Sequence, residues 1–236
     1  MNPDLLVVVA LRRSAGYRLL ALAFAYPTPP RLTEIAAAAR EAATEARAEV
    51  RAALTRLADA ARDGDAAALD GEHVILFQRQ VRCPPYEGAY GPPQMAGKAP
   101  LLADVAGFYR AFAMEPAEGQ PEVEDHVCAE LEFMSVLAFK EAWAIAEDHA
   151  EGLEITRDAQ RAFLRDHLGR WGTAFATRVS AAATLGVYPA AAALLSVWLA
   201  ADCALLEVMP EPLEGVSEAE GTAFTCPMAP ADTDER

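Results

Sequence analysis

An all-α fold follows from three observations on this chain of 236 residues. Seven stretches rich in Ala, Leu, Glu and Arg repeat their apolar residues every three or four positions. Alternating apolar and polar runs, which a strand would need, are almost absent. The breaks between most of the helical stretches are short, which makes neighbouring helices antiparallel. With 53% apolar residues the chain can bury a large core. The expected organisation is a single helical bundle over residues 1–209 with short connections and one long proline-rich loop, followed by an acidic, flexible tail over 210–236.

The helical stretches are 5–24, 31–62, 66–80, 101–114, 125–149, 156–183 and 190–206. Tyr26-Pro27-Thr28-Pro29-Pro30 ends the first, because proline removes donors and restricts the residue before it. Arg62-Asp63-Gly64-Asp65 separates two more, with Asp65 as the N-cap. Pro116 to Pro121 forms a further loop. The alanine runs 36–39 and 181–183 fall inside periodic segments and read as close-packing helix faces. In the first stretch Asp4 precedes the apolar run and Arg12-Arg13 follow it, the reverse of a signal peptide, so it reads as a core helix. The span 179–201 runs for 23 residues without a charge, enough to cross a bilayer. Gly186 and Pro189 interrupt it, which predicts a turn between two buried helices and no transmembrane segment.

A formal net charge of −15 argues against nonspecific binding to nucleic acid or anionic membranes and suits a cationic partner, although acidity also serves solubility. The four cysteines, Cys83, Cys128, Cys203 and Cys226, form no C-x-x-C pair, and reduced thiols in the cytoplasm are expected. From Pro210 onward acidic residues dominate a stretch too poor in apolar groups to offset its chain entropy. An island at Ala223-Phe224-Thr225-Cys226-Pro227-Met228 could still dock on the body or a partner. Enzyme signatures are missing: there is no H-E-x-x-H, G-x-S-x-G or dinucleotide fingerprint. The run Gly91 to Ala99 has the wrong glycine spacing for a phosphate loop, and its prolines remove amides. No enzyme and no cofactor are expected.

Two elements carry the functional reading. The first is Cys83-Pro84-Pro85-Tyr86-Glu87-Gly88-Ala89-Tyr90-Gly91-Pro92-Pro93, which no helix or central strand can run through. The second is Glu124-Asp125-His126-Val127-Cys128-Ala129-Glu130-Leu131-Glu132-Phe133-Met134, an acidic turn opening a helix. Val127, Leu131, Met134 and Ala138 make its core stripe. His126, Glu130, Phe133 and Leu137 lie on an adjoining face, suited either to the wall of a groove for an amphipathic peptide or to a broad buried face. No Glu-x-x-His pair for a di-iron site occurs. His126 and Glu130, one turn apart, could hold one end of a metal, but a hydrogen bond or ion pair explains them as well. His73, His149 and His167 read as surface or core histidines.

His73, Leu76 and Phe77, then Pro-Pro-Tyr-Glu-Gly-Ala-Tyr-Gly, then Glu-Asp-His-Val-x-x-Glu-Leu-Glu-Phe-Met, resemble in order and spacing the TorD/DmsD/NarJ family of redox-enzyme maturation chaperones. Phe163 to Trp171, Tyr188-Pro189 and the apolar helix after them are similar to that family's C-terminal half, so that the resemblance covers most of residues 11–206. It implies a cytoplasmic, non-catalytic chaperone that binds the catalytic subunit of a molybdopterin-containing oxidoreductase until its cofactor is inserted. It also implies cover for a twin-arginine leader peptide until then. Carried over by motif, Leu76 and Phe77 become apolar contacts, and Tyr86, Glu87, Tyr90, Asp125 and His126 client-binding residues. Glu130, one turn below His126, joins them as an acceptor for Arg.

The loop has Gly-Ala where the family commonly has Ser-Val, and His73 stands where an aromatic is common. The loop and acidic tail look most like chaperones of type II enzymes of the dimethyl sulfoxide reductase class. Helix exchange between copies would give a homodimer. The competing readings are a metal- or nucleotide-binding bundle and a permanent accessory subunit of the oxidoreductase.

Overall fold

Proline and side-chain caps set the first boundaries. α1 (Pro3–Phe24) stops before Pro27, and α2 (Pro29–Ala43) begins with two prolines behind Thr28, whose hydroxyl accepts the Arg31 N–H at 3.3 Å. α3 (Ala48–Asp63) ends at Gly64, and the expected cap at Asp65 opens α4 (Ala66–His73) by accepting the Ala67 N–H at 3.0 Å. α5 (Ala99–Ala111), α6 (Val127–Ala146), α7 (Ala150–Asp166), α8 (Leu168–Ala182) and α9 (Val187–Leu206) complete the set. The computed structural model describes residues 3–79, 81–92, 97–115, 124–213 and 215, and no strand occurs among them. The Pro116–Pro121 loop, part of the Gly91–Ala99 run and the Ala223–Met228 island lie outside the described residues.

Two expected helices are each broken in two. The stretch 31–62 turns at 44–47, where the Thr44 hydroxyl donates back to the Glu41 carbonyl at 2.7 Å. The stretch 156–183 breaks at His167, and its first half starts earlier, at Ala150, where His149 Nδ1 accepts the Gly152 N–H. Neither break contains proline, so local propensity does not announce it; packing imposes both. Gly169 permits the second, since a methyl at its Cα would overlap the Leu164 carbonyl and Pro210. The stretch 66–80 is α-helical only to His73 and then widens into a π turn, Val74–Gln78, next to the proline-rich loop. The break near Gly186 stands where the sequence places it. α9 is long and apolar enough by composition to cross a membrane, but here it packs against α1, α3 and α8.

α1 and α6 are the antiparallel centre: Ser14 Oγ meets Ser135 Oγ at 3.2 Å, and the Cys128 thiol donates to the Ala21 carbonyl at 3.4 Å. The α2–α3 and α8–α9 hairpins and α7 pack around them. Tyr17, Phe133, Phe163, Trp171 and Phe175 are fully enclosed, each large ring contributing on the order of 2 kcal/mol by leaving water. Trp198 lies across Gly16, where any side chain would displace it.

The core also holds a charge network. Arg13 donates to Asp202 Oδ1 (2.5 Å), Asp202 Oδ2 (3.0 Å), Glu141 Oε2 (2.6 Å) and Gln160 Oε1, while Tyr17 donates to Asp202 Oδ2 and Arg157 to Glu141 Oε1. Burial works against the Arg13 charge, but the hydrogen bond and charge of Asp202, with Glu141, outweigh it and raise the pKa. Two cations and two carboxylates thereby tie α1, α6, α7 and α9 together.

α9 ends at Glu207 in the left-handed region (φ 57°). Residues 210–213 stay on the body. Leu213 N–H donates to the Arg170 carbonyl at 2.8 Å, Arg170 Nε donates to the Glu211 carbonyl at 3.2 Å, and the Leu213 side chain packs on the core.

Candidate functional site

The proline-rich loop is clasped to the start of α6. Val127 N–H donates to the Pro85 carbonyl at 2.8 Å, Glu87 N–H donates to the Asp125 carbonyl at 2.9 Å, and Tyr86 and His126 form an isolated antiparallel bridge. Asp125 Oδ2 accepts the Gly88 N–H at 2.9 Å, and Glu87–Ala89 close a single 3-10 turn. Tyr90 bends back so that its hydroxyl donates to the Pro84 carbonyl at 2.9 Å. The prolines that bar the loop from helix thus leave carbonyls for α6 and Tyr90 to use.

Beneath the loop sit the carboxylates. Glu87, Asp125 and Glu130 are all buried. His167 Nδ1 and Glu87 Oε2 share a hydrogen bond at 3.0 Å, and His167 Nε2 lies 3.5 Å from Asp104 Oδ2 without a well-formed hydrogen bond. Trp171 Nε1–H donates to Glu130 Oε2 at 3.0 Å, while Glu130 Oε1 has no partner of good hydrogen-bond geometry. Burial first, and then the Glu87 charge, push the Glu130 carboxyl well above the usual carboxylate range. Asp125 is raised too, by burial most of all, against the pull of the Gly88 N–H. Tyr90 packs on Trp171 with ring centres 5.2 Å apart, and the Tyr109 hydroxyl donates to the Glu124 carbonyl.

The structure places Tyr86, Glu87, Tyr90, Asp125, His126 and Glu130 together where the loop meets the start of α6. The side chains of Glu87, Asp125 and Glu130 are turned into the protein, toward His167, the Gly88 N–H and Trp171 respectively. Glu130, Phe133 and Leu137 are buried, so of the two readings of this face the broad buried one describes these three residues. Leu76 and Phe77 are buried as well: Leu76 gives its carbonyl to the Cys83 N–H, and Phe77 packs against His73, Phe175 and Tyr188. Tyr86 and His126 stay half-buried at the surface, their rings edge to face with centres 5.2 Å apart.

His126 is an N-cap, its Nδ1 accepting the Cys128 N–H at 3.2 Å, and no group of three or more potential ligands with metal-binding geometry occurs among the described residues. His73 is pushed down to about 4, by burial first and by His126 second, so it is neutral at physiological pH. Sequence reasoning read His167 as a surface or core histidine and gave Trp171 no part in the site; both are buried in it. The signal available was spacing: Phe163, His167 and Trp171 recur every four residues and reach one side.

Residues 43–177 match the sequence profile of the family described as nitrate reductase delta subunit. The chain belongs to that family. Among proteins similar to this chain, the perchlorate reductase assembly chaperone protein of Dechloromonas aromatica is 37% identical over 86 residues, covering 36% of this chain and 37% of the relative. The selenate reductase assembly chaperone protein of Thauera selenatis is 30% identical over 116 residues, covering 48% and 58%. The chain therefore spans about four-tenths to six-tenths of the length of these two. The chaperone protein TorD of Aeromonas salmonicida is 30% identical over 166 residues, covering 68% and 70%. A crystal structure from Archaeoglobus fulgidus, assigned as a redox enzyme maturation protein, shares the fold with a TM-score of 0.52 at 24% identity, over 78% of this chain and 93% of that one.

Proposed function

We propose that this protein is a non-catalytic assembly chaperone that binds the catalytic subunit of a molybdopterin-containing oxidoreductase in the cytoplasm. It would hold the subunit for cofactor insertion and cover its twin-arginine leader until then. The observation that carries this reading is the clasp between the proline-rich loop and α6, whose enclosed acids fix the loop while Tyr86 and His126 stay at the surface. A site built this way offers shape and aromatic contact and no reacting group, which suits recognition. Leu76, Phe77, Glu87, Tyr90, Asp125 and Glu130 then serve the client by positioning that surface from beneath. The net charge of −15 suits a client segment rich in guanidinium groups. The chaperones named for perchlorate, selenate and chlorate reductases point to a client of the type II class. Exchange of helices between two copies, forming a homodimer, belongs to the same reading, and static light scattering checks it.

The experiment is capture. A tagged chain recovered from its native cells under anaerobic respiration carries one large molybdoenzyme subunit with its leader uncleaved. Capture of the mature holoenzyme alone points to a permanent subunit, and a metal-loaded chain eluting alone overturns the chaperone reading.

A further inference from the structure

Three carboxyls close together under the proline-rich loop, and one of their oxygens lacks a donor. Glu87 comes from the 3-10 turn of the loop, Asp125 from the residues before α6 and Glu130 from the first turn of α6, and each is at most 2% exposed. Trp171 donates to Glu130 Oε2, but the enclosed Oε1 has no partner of good hydrogen-bond geometry. A buried carboxylate oxygen without a donor is costly as an anion; protonated, it becomes a donor itself. Glu87 is the carboxylate beside it. After burial, the Glu87 charge and hydrogen bonding between the two side chains both favour the protonated form of Glu130.

His167 links these acids to solvent. Its Nδ1 shares a hydrogen bond with Glu87, and its enclosed Nε2 lies 3.5 Å from Oδ2 of Asp104, whose side chain is 68% exposed. Protons have a route along Asp104, His167 and Glu87 that leaves the core closed. The other groups facing the cluster come from each neighbouring element. Tyr109 of α5 lies among Glu87, Glu124, Asp125 and Glu130. Lys98, at the start of α5, stands beside Gly88 and favours the charged form of Asp125. His126 caps α6 through Nδ1, and Arg178 of α8 bears on Cys83 and Tyr90 at the two ends of the loop.

The loop is the part that yields. Glu130 stands on a helix of 20 residues packed along α1, whereas Glu87 stands on a turn of three. That turn is held by Glu87 N–H on the Asp125 carbonyl, Gly88 N–H on Asp125 Oδ2 and the neighbouring bond from Val127 to Pro85. Negative charge on all three acids repels across this small contact, and opening it leaves the helix ladders intact.

We propose that Glu87, Asp125, Glu130 and His167 form a proton-operated latch: a proton held between Glu87 and Glu130 keeps the loop clasped to α6, and its loss releases residues 84–90 while the helices stay folded. The latch governs the surface of Tyr86 and His126; that use rests on the chaperone reading, whereas the latch itself belongs to the isolated chain. Its sign is fixed. The clasp is at full strength below the ordinary glutamate value of 4.5 and weakens as pH rises through the raised one. A proton on His126 Nδ1 acts the other way, costing the α6 cap toward low pH.

Amide hydrogen exchange of the full chain tests the latch, with rates corrected for the intrinsic pH dependence of exchange. From pH 5 to pH 8 the protection of the Glu87, Gly88 and Val127 amides is expected to fall by about tenfold or more. Leu195 in the middle of α9 keeps its protection. In Glu130→Gln, which preserves the acceptor for Trp171, the fall at the three loop amides is abolished. Glu87→Gln removes the other carboxylate of the pair and gives the same result, which keeps the test available if one variant does not fold. Both variants retain His126 and at least one retains every other group named, so a slope that survives in them belongs elsewhere. Constant protection in the parent, an equal fall in the variants, or a parallel fall at Leu195 overturns the latch. Client capture does not enter this measurement, so failure of the latch and failure of the chaperone reading are told apart.

Discussion

Glu130 and Trp171 meet at 3.0 Å in the centre of the protein, carboxyl oxygen to indole N–H, with neither side chain exposed to solvent. The pair joins α6 to α8 beneath the loop that carries Tyr86. Burial and the neighbouring Glu87 raise the pKa of that carboxyl, and the first prediction follows from this.

The folded-state pKa of Glu130 lies above its ordinary value of 4.5. The folded protein therefore binds more protons than the unfolded chain between those two values, and stability falls as pH rises through that window. Below pH 4.5 both states are protonated and the penalty vanishes. Glu130→Gln keeps the acceptor for Trp171 and removes the titration. Its melting temperature relative to the parent is expected to rise steadily from pH 5 to pH 8, read by calorimetry across that range.

The Arg13 network predicts a large loss from a single change. Arg13→Met leaves Asp202 and Glu141 without their principal buried cation and is expected to cost about 3–5 kcal/mol in urea unfolding. Replacing Arg13, Glu141 and Asp202 together by apolar residues of similar volume, with Tyr17→Phe and Gln160→Leu so that no buried partner is orphaned, recovers most of that loss. If the combined variant is no more stable than Arg13→Met, uncompensated charge is not the cause.

Gly169→Ala reverses the sign that helix propensity gives. Inside a helix the change should help by about 1 kcal/mol, but the new methyl meets the Leu164 carbonyl, and backbone must move. A loss of about 1–3 kcal/mol is expected, together with faster amide exchange at Leu213, whose N–H bonds to the Arg170 carbonyl next door.

Asp125→Ala removes the acceptor for Gly88 N–H. The expected cost is about 1–2 kcal/mol, with amide exchange accelerated at Glu87 and Gly88 and helix content unchanged by circular dichroism. Exchange rates that stay at parental values would mean the backbone bonds to Asp125 and Pro85 suffice to hold the loop.

Most of the architecture was legible because apolar spacing and proline punctuate this chain clearly. Asp65 caps α4, the prolines at 27, 29 and 30 part α1 from α2, and Gly186 precedes α9, all from local chemistry. The turn at 44–47 and the break at His167 were not legible, because their residues are compatible with helix and tertiary packing decides them. At the site, the loop and the start of α6 could be paired from their residue types and from family resemblance. That Glu87, Asp125 and Glu130 turn inward could not, because a carboxylate in a sequence does not reveal whether a distant His167 or Trp171 will meet it. Arg13 was hidden for the same reason: beside Arg12 it reads as a surface charge, and its partners lie in three other helices.

The central claim is that the loop–α6 clasp presents Tyr86 and His126 to a client subunit, and it is tested most directly by quantitative capture. Tagged parent and the Tyr86→Ala, His126→Ala double variant are expressed in the native cells, and the captured molybdoenzyme subunit is measured by mass spectrometry. The account predicts at least a tenfold drop in captured, leader-bearing subunit for the double variant, at unchanged helix content and with only the loss of about 1 kcal/mol in stability that removing the His126 cap brings. Equal capture by a folded double variant would contradict it and move the client to another surface.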